Sequence, residues 1–298
     1  IDGYGGKPLR NSVVIIEGER IKAIGQLGML PIPKDAEVIS TEGMTVLPGL
    51  WDMHVHVFRH SGNIPADVHE QYFPLFLANG VTGVRDMWTS PEDFQTLRAW
   101  RRDQATGSLL GPRVTGSSTI VDGVPPRPHS LGVTTAAEAR RVVDSLAQGG
   151  AEFIKVYNLL SRDAYFAIAE ETKRLGIPFA GHLPLSVSAA EASDAGQKSI
   201  EHLGFSDDCS SARDRLVQLR VDTSLAQPDG GLSQLFLSTY SDSLCTALFR
   251  RFVRNGTWQV PTLALRRQDD ATIDSTLPPL DSYLQYVTGR ERTAWATQ

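Results

Sequence analysis

Val46-Leu47-Pro48-Gly49-Leu50-Trp51-Asp52-Met53-His54-Val55-His56 is the stretch on which the reading of this chain turns. From Leu50 to His56 it reads as a strand, and side chains two residues apart on a strand leave the same face. His54 and His56 can therefore converge on one cation. The pair alone does not distinguish a metal site from two ordinary hydrogen-bonded histidines, so its context has to decide. Downstream come Phe153-Ile154-Lys155-Val156-Tyr157, Ala180-Gly181-His182-Leu183 and Ile200-Glu201-His202-Leu203. Each is a short apolar run carrying a polar group that a buried strand would not otherwise hold.

Upstream of Leu47 the chain reads as all-β. Val13-Val14-Ile15-Ile16, a Glu17-Gly18 turn signal and Arg20-Ile21-Lys22-Ala23-Ile24-Gly25 predict a hairpin, and a third short strand is expected from Ala36 to Ser40. So small a sheet cannot bury both faces alone, which predicts a β-sandwich subdomain over residues 1–47 completed by strands from elsewhere. From residue 48 to 298 strands alternate with helices, the pattern of βα units around a parallel sheet. The expected strands are Leu50–His56, Gly80–Asp86, Arg113–Val121, Glu152–Tyr157, Pro178–Leu183, Ser199–Leu203 and Trp258–Leu265. Helix starts are marked by Ser90-Pro91-Glu92-Asp93, Thr135-Ala136-Ala137-Glu138 and Ser188-Ala189-Ala190-Glu191, each a hydroxyl with an acid three residues later, and stops by Gly149, Gly176 and Gly196. Two long loops are expected, Asp122–Thr134 and Phe205 to about Gln234. Loops that follow barrel strands open on the face where substrates bind.

Composition narrows the function. The 298 residues fit one large α/β barrel with a small appendage, and the net charge of −5 with dispersed Lys and Arg does not suggest a nucleic-acid groove or an anionic membrane surface. No apolar run is long enough for a membrane span. A small-molecule substrate is the expected partner, and a homo-oligomer is compatible with the sequence. Cys209 and Cys245 make no metal-type spacing and are read most simply as unpaired thiols, with a single bridge as the alternative. The opening Ile1-Asp2-Gly3 lacks a methionine, from which an upstream segment is expected to have been removed, so the compartment is not readable.

On a barrel the polar residues sort themselves. His54 and His56 end the first strand, Lys155 lies on the fourth, His182 and His202 near the ends of the fifth and sixth, and all five can point into the C-terminal mouth. By alternation Lys155 shares a face with Phe153 and Tyr157, so its ammonium would be buried in the interior. Desolvation favours the neutral amine, which can add carbon dioxide to give a carbamate able to bridge two cations.

That ordered set resembles the amidohydrolase superfamily. Leu47 to His56, Gly80-Val81-Thr82-Gly83-Val84-Arg85-Asp86-Met87, Phe153 to Tyr157 and Ser199-Ile200-Glu201-His202 look like its prolidase-like and imidazolonepropionase-like members. The resemblance implies a (β/α)8 TIM-like barrel with a small β-sandwich, and two divalent metal ions, usually zinc. His54 and His56 would hold the inner ion and His182 and His202 the outer, with carboxylated Lys155 and a hydroxide bridging them. It implies hydrolysis of an amide or peptide-like C–N bond, of dipeptidase or N-acyl amino acid type. Tyr157, on the face of Lys155 and one step nearer the mouth, is then placed to hydrogen-bond a substrate carboxylate, and His129, in a Pro-rich loop over the mouth, to touch substrate. Cyclic amide hydrolysis is the alternative chemistry, and a truncated, non-catalytic metal-binding barrel the alternative of another class. The family also places an aspartate at the end of an eighth strand. No apolar strand leads into Asp269, Asp270, Asp274 or Asp281, so the chain is expected to be truncated after about the seventh strand. Asp86 is read as a supporting or capping carboxylate before Ser90, Glu201 as facing the outer helices because it alternates with His202, and His60 and His69 as surface residues.

Overall fold

Two apolar runs meeting at Gly18, which takes a left-handed φ of 59°, close the hairpin of β1 (Ser12–Glu17) and β2 (Arg20–Gln26). They pair antiparallel with Val14 opposite Ile24 and a register shift between Ile15 and Ile16. The computed structural model describes residues 1–3, 5–58, 71–223, 231–264 and 289, and the chain divides into two compact units, Ile1–Leu50 and Trp51–Gln298. The strand expected over Ala36–Ser40 does not form. Val38 and Ile39 stand exposed with no ladder partner among the described residues, and apolar content without a neighbouring edge does not make a strand.

The second unit is a mixed α/β fold with parallel sheets. β3 (Leu50–Val55), β4 (Val81–Asp86) and β5 (Arg113–Gly116) form one sheet in that order. The other contains β6 (Val121–Asp122), β7 (Leu131–Gly132), β8 (Ile154–Val156), β9 (Phe179–Gly181), β10 (Ser199–Glu201) and β11 (Trp258–Val260). Its long wall runs β11-β10-β9-β8, parallel throughout. The third expected strand, Arg113–Val121, is broken in the middle. Ser117 leaves β5 to bridge Phe153, Ser118 N–H donates to Phe153 C=O at 2.8 Å, and the chain re-enters the ladder only as β6 beside Val156. That kink couples the two sheets, with β6 beside β8 and β7 on the far side of β6, out of chain order. The stretch after the seventh strand that holds the acids Asp269, Asp270, Asp274 and Asp281 lies outside the described residues, as do His60 and His69.

The helices begin where side chains can cap them. α3 (Ala136–Gln148) and α5 (Ala189–Asp194) open with complete capping boxes, Thr135 with Glu138 and Ser188 with Glu191. Ser90 and Asp93 exchange the same reciprocal bonds ahead of α2 (Asp93–Ala105). α1 (Phe73–Ala78) and α4 (Arg162–Leu175) complete the layer, the latter closed by Gly176 at φ 71°. The helices cover one face of the wall. Ile154, Val156 and Phe179 meet Val143, Tyr165 and Ile168 there, each large buried side chain contributing roughly 1.5–3 kcal/mol. The other face carries Met87, Phe153 and Ala180 as a separate buried cluster. Since Phe153 and Lys155 alternate with Ile154 and Val156, the lysine belongs to this second, interior face.

Over its described residues, the polar stretch after the sixth strand is largely helical. A short 3-10 turn (Ser206–Cys209) leads to α6 (Arg213–Thr223), then α7 (Leu232–Thr239) and α8 (Asp242–Asn255). Few apolar residues mark α6, and its order comes from tertiary partners instead. Leu216 is fully buried, and Arg220 grips both oxygens of Asp207 at 2.7 and 2.9 Å. Cys209 and Cys245, read as free thiols, form a disulfide with Cα atoms 4.6 Å apart. It ties the 3-10 turn to the first turn of α8.

Candidate active site

Four imidazoles gather where the strands end. The rings of His54 and His56 lie 5.3 Å apart, His54 and His202 4.5 Å, and His202 and His182 4.7 Å. His54 is set by β3. His182 follows Gly181, whose φ of 138° and closeness to Val156 (an added Cβ would sit 2.3 Å from that carbonyl oxygen) admit no side chain. His202 and Leu203 take left-handed φ values of 57° and 59°, uncommon for residues with a Cβ. This turn aims His202 independently of the alternation of β10.

Three of the rings are held through Nδ1. His54 Nδ1 lies 2.7 Å from Glu201 Oε2, His182 Nδ1 2.8 Å from Asn158 Oδ1, and His202 Nδ1 2.7 Å from Thr262 Oγ1. Glu201 and the Asn158 carbonyl accept. The Thr262 hydroxyl spends its one hydrogen on Pro261 C=O at 2.8 Å, so toward His202 it accepts as well. Each ring is thereby held as the Nδ1–H tautomer with its lone pair on Nε2, the arrangement that metal-binding histidines use. Burial lowers the pKa of His54 and takes that of His182 well below its ordinary value, which favours the neutral, ligating form.

Lys155 is the unexplained group beside them. It is 1% exposed, and its Nζ has no hydrogen-bond partner among the described residues. Burial draws its pKa down to about 7, against the opposing pull of Glu201. An orphaned amine of this kind is costly to bury unless something else completes it. Among the described residues no three His, Cys, Asp or Glu donors are gathered closely enough to hold an ion as they stand. The four rings are neighbours, and Lys155 lies near enough to bear electrostatically on His54, His56 and His182.

Glu201 is where the sequence reading fails. It does not face the outer helices: it is 1% exposed and accepts from Arg85 Nη2 at 2.7 Å, from Ser199 Oγ at 2.7 Å and from His54. The phase of β10 is set by Ile200, which packs with Cys209, Leu248 and Phe252 on the helical side, so Ser199 and Glu201 must point inward. His202, already past the strand, is the wrong residue to count from. Arg85 also donates to Met53 C=O at 2.7 Å and Ser199 Oγ at 3.0 Å, and so braces β3 against β10 beneath the histidines.

Asp86 braces the other side. Its Oδ1 accepts from Val57 N–H at 2.7 Å and Phe58 N–H at 3.3 Å, its Oδ2 from Trp88 N–H at 3.0 Å and the Thr89 hydroxyl at 2.6 Å. It thus fixes the backbone leaving His56 rather than capping at Ser90. Replacing it by the isosteric asparagine removes an acceptor from the buried Trp88 N–H while sparing Val57 and Phe58. Asp86→Asn is expected to cost about 2 kcal/mol of unfolding free energy, the penalty of one stranded buried donor. Urea denaturation monitored by tryptophan fluorescence measures it, and an unchanged midpoint would show that the brace carries no weight.

The rim is built by the loop between β6 and β7. Arg127 Nη1 donates to Tyr157 Oη at 2.9 Å, and Trp88 Nε1 donates to His129 C=O at 3.3 Å. The Tyr157 ring lies 4.0 Å from that of His182, and the Trp88 ring 6.2 Å from that of His56. His129 is engaged here through its backbone, at φ 60°, with an exposed side chain. Arg127, Asn158 and Thr262 carry no sequence signal that separates them from ordinary loop residues. Glu201 did carry one, in the phase of Ile200.

Comparison with known proteins gives the family. The model of the amidohydrolase family matches residues 45–231. The ochratoxinase of Aspergillus niger is 26% identical over 68% of this chain and 52% of its own length. The chain therefore spans about half the length of the curated relatives it matches. Among solved structures, a prolidase complexed with N-methylphosphonate-L-proline is similar with a TM-score of 0.53 and 20% identity, covering 83% of this chain and 72% of that one. Phenylurea hydrolase B is similar with a TM-score of 0.56 and 22% identity over 69% and 58%. These two likenesses speak for the fold alone.

Proposed function

Because the chain belongs to the amidohydrolase family, we propose that it is a metal-dependent hydrolase of amide or peptide-like C–N bonds, of the dipeptidase or N-acyl amino acid hydrolase type. One observation carries the reading: the buried, unpartnered amine of Lys155 amid imidazoles tethered through Nδ1. His54 and His56 would hold one divalent cation, His182 and His202 a second, and Lys155, as its carbamate, would contact both; zinc is the expected metal. The chemistry such cations supply is acidification of water to a nucleophile at neutral pH and polarisation of the carbonyl under attack.

The chain's own residues do the positioning. Glu201, Asn158 and Thr262 keep the protons of His54, His182 and His202 on Nδ1, and Arg85 holds Glu201 in place. Tyr157 and His129 stand at the rim on the substrate side. Glu201 and Asp86 are both fully engaged in hydrogen bonds, so neither is given the proton transfer to the leaving amine. The names of similar proteins, an ochratoxinase and a prolidase, are consistent with an amide substrate.

The test joins metal analysis to a substrate panel. Protein purified without chelator and reconstituted with zinc is expected to bind close to two ions, and His202→Ala close to one, with the fold retained. Dipeptides and N-acyl amino acids should be cleaved in preference to cyclic imides. Protein that binds no metal after reconstitution overturns the reading; cleavage of the imides alone would move it to cyclic amides.

A further inference from the structure

The loop between β6 and β7 is pinned at its base and at its tip. At the base, Asp122 Oδ1 accepts from Gly123 N–H at 2.8 Å and Leu159 N–H at 2.7 Å, and Val133 N–H returns to Asp122 C=O at 2.9 Å. At the tip, Arg127 reaches Tyr157 while Trp88 holds the backbone of His129. The guanidinium carbon lies 5.5 Å from the centre of the Trp88 ring and 5.9 Å from that of Tyr157, within cation–π reach of both. Those rings neighbour His56 and His182 in turn. Arg127 is thus laid across the rim, from the side of one histidine to the side of the other.

What it lacks is an anion. Arg101, Arg140, Arg162 and Arg174 each meet a carboxylate on the protein surface. Arg127 makes no ion pair among the described residues, and its side chain's hydrogen bond is the one from Nη1 to Tyr157. Nε and Nη2 remain as a planar, exposed donor edge whose orientation two aromatic rings restrict. A guanidinium so held has lost little further freedom to give up on binding, and its edge matches a carboxylate with two parallel hydrogen bonds. The Tyr157 oxygen, already an acceptor from Arg127, keeps its own hydrogen for the same ligand.

We propose that Arg127 is a specificity-determining residue that takes a carboxylate carried by the substrate beside the scissile bond. The substrates are then N-acyl amino acids or peptides with a free C-terminal carboxylate, and the corresponding carboxamides are poor ligands. The reaction rests on the hydrolase reading above, whereas the binding preference can be measured without it.

The probes are N-methanesulfonyl-L-phenylalanine, a sulfonamide with no acyl amide to cleave, and its primary carboxamide, whose one acyl amide stands in place of the carboxylate and is checked by chromatography to stay intact during the titration. By calorimetry with the zinc-reconstituted protein, the acid is expected to bind at least about tenfold more tightly than the carboxamide, the scale of one charge-assisted bidentate contact. Arg127→Met should bring the two to within about twofold by weakening the acid alone, and Arg127→Lys should restore part of the difference. The carboxamide affinity of Arg127→Met should stay within about twofold of the parent's, whereas a merely structural role would weaken acid and carboxamide alike. Equal binding of acid and carboxamide by the parent protein, or a preference that survives in Arg127→Met, overturns the proposal. Acid preference without hydrolysis of any amide would sink the hydrolase reading and leave Arg127 standing; hydrolysis without acid preference would do the reverse.

Discussion

A Lys155→Ala protein is expected to lose bound metal and amide hydrolysis together, by more than the roughly 10–100-fold that loss of an outer hydrogen-bond partner to a ligand produces. The residue is on the interior face of β8, 1% exposed, with its amine unpartnered among the described residues. A lysine kept for packing would not place a polar tip there, and a lysine snorkelling to solvent would be exposed. Alanine should therefore cost the fold little, because the cavity it opens is offset by removing an unsatisfied buried amine. Short carboxylates such as acetate or propionate, added at high concentration, should return part of both metal content and turnover by supplying the missing oxygens. Native mass spectrometry of the parent protein should show one added carbon dioxide that Lys155→Ala lacks. Near-normal turnover in Lys155→Ala would reduce the lysine to a passenger and remove the central support of the proposed chemistry.

The second large effect is on stability. Breaking the Cys209–Cys245 disulfide, separated by 36 residues, is expected to lower the unfolding free energy by about 4 kcal/mol, the chain-entropy estimate for a loop of that length. Both cysteines are nearly inaccessible and pack with Ile200, Leu248 and Phe252. The bond links the segment leaving His202 to α8, which leads into β11 and on to Thr262, the partner of His202. A Cys209→Ala, Cys245→Ala protein should accordingly unfold at lower urea and carry less metal at the His182–His202 side. Comparing oxidised, reduced and doubly substituted protein separates the crosslink from the packing of the side chains. Identical midpoints for all three would mean that the crosslink contributes nothing to the folded unit.

What the amino-acid sequence determined by itself was alternation within the buried strands and the capping of helices, which depend on neighbours a few residues away. Alternation within Phe153-Ile154-Lys155-Val156 places the lysine opposite the helix-covered face, since Ile154 and Val156 have to be buried against helices. Capping at Thr135 and Ser188 needs only an acid three residues on, so those helix starts are legible without a fold. The parallel βα rhythm follows from the same short-range order. The tertiary structure alone decided which distant groups meet. His54 finds Glu201 across 147 residues, Arg85 finds it across 116, and Arg127 finds Tyr157 across 30. Cys209 pairs with Cys245, and α6 forms on a weakly apolar stretch because Arg220 has Asp207 to hold. Such contacts depend on strand register and on where the chain turns at Ser117 and at His202, and a shift of one residue in either would exchange the faces of everything that follows. At β10 the apolar Ile200 marks the buried face and so Glu201 the interior one, but where the chain turns is decided by packing between distant elements.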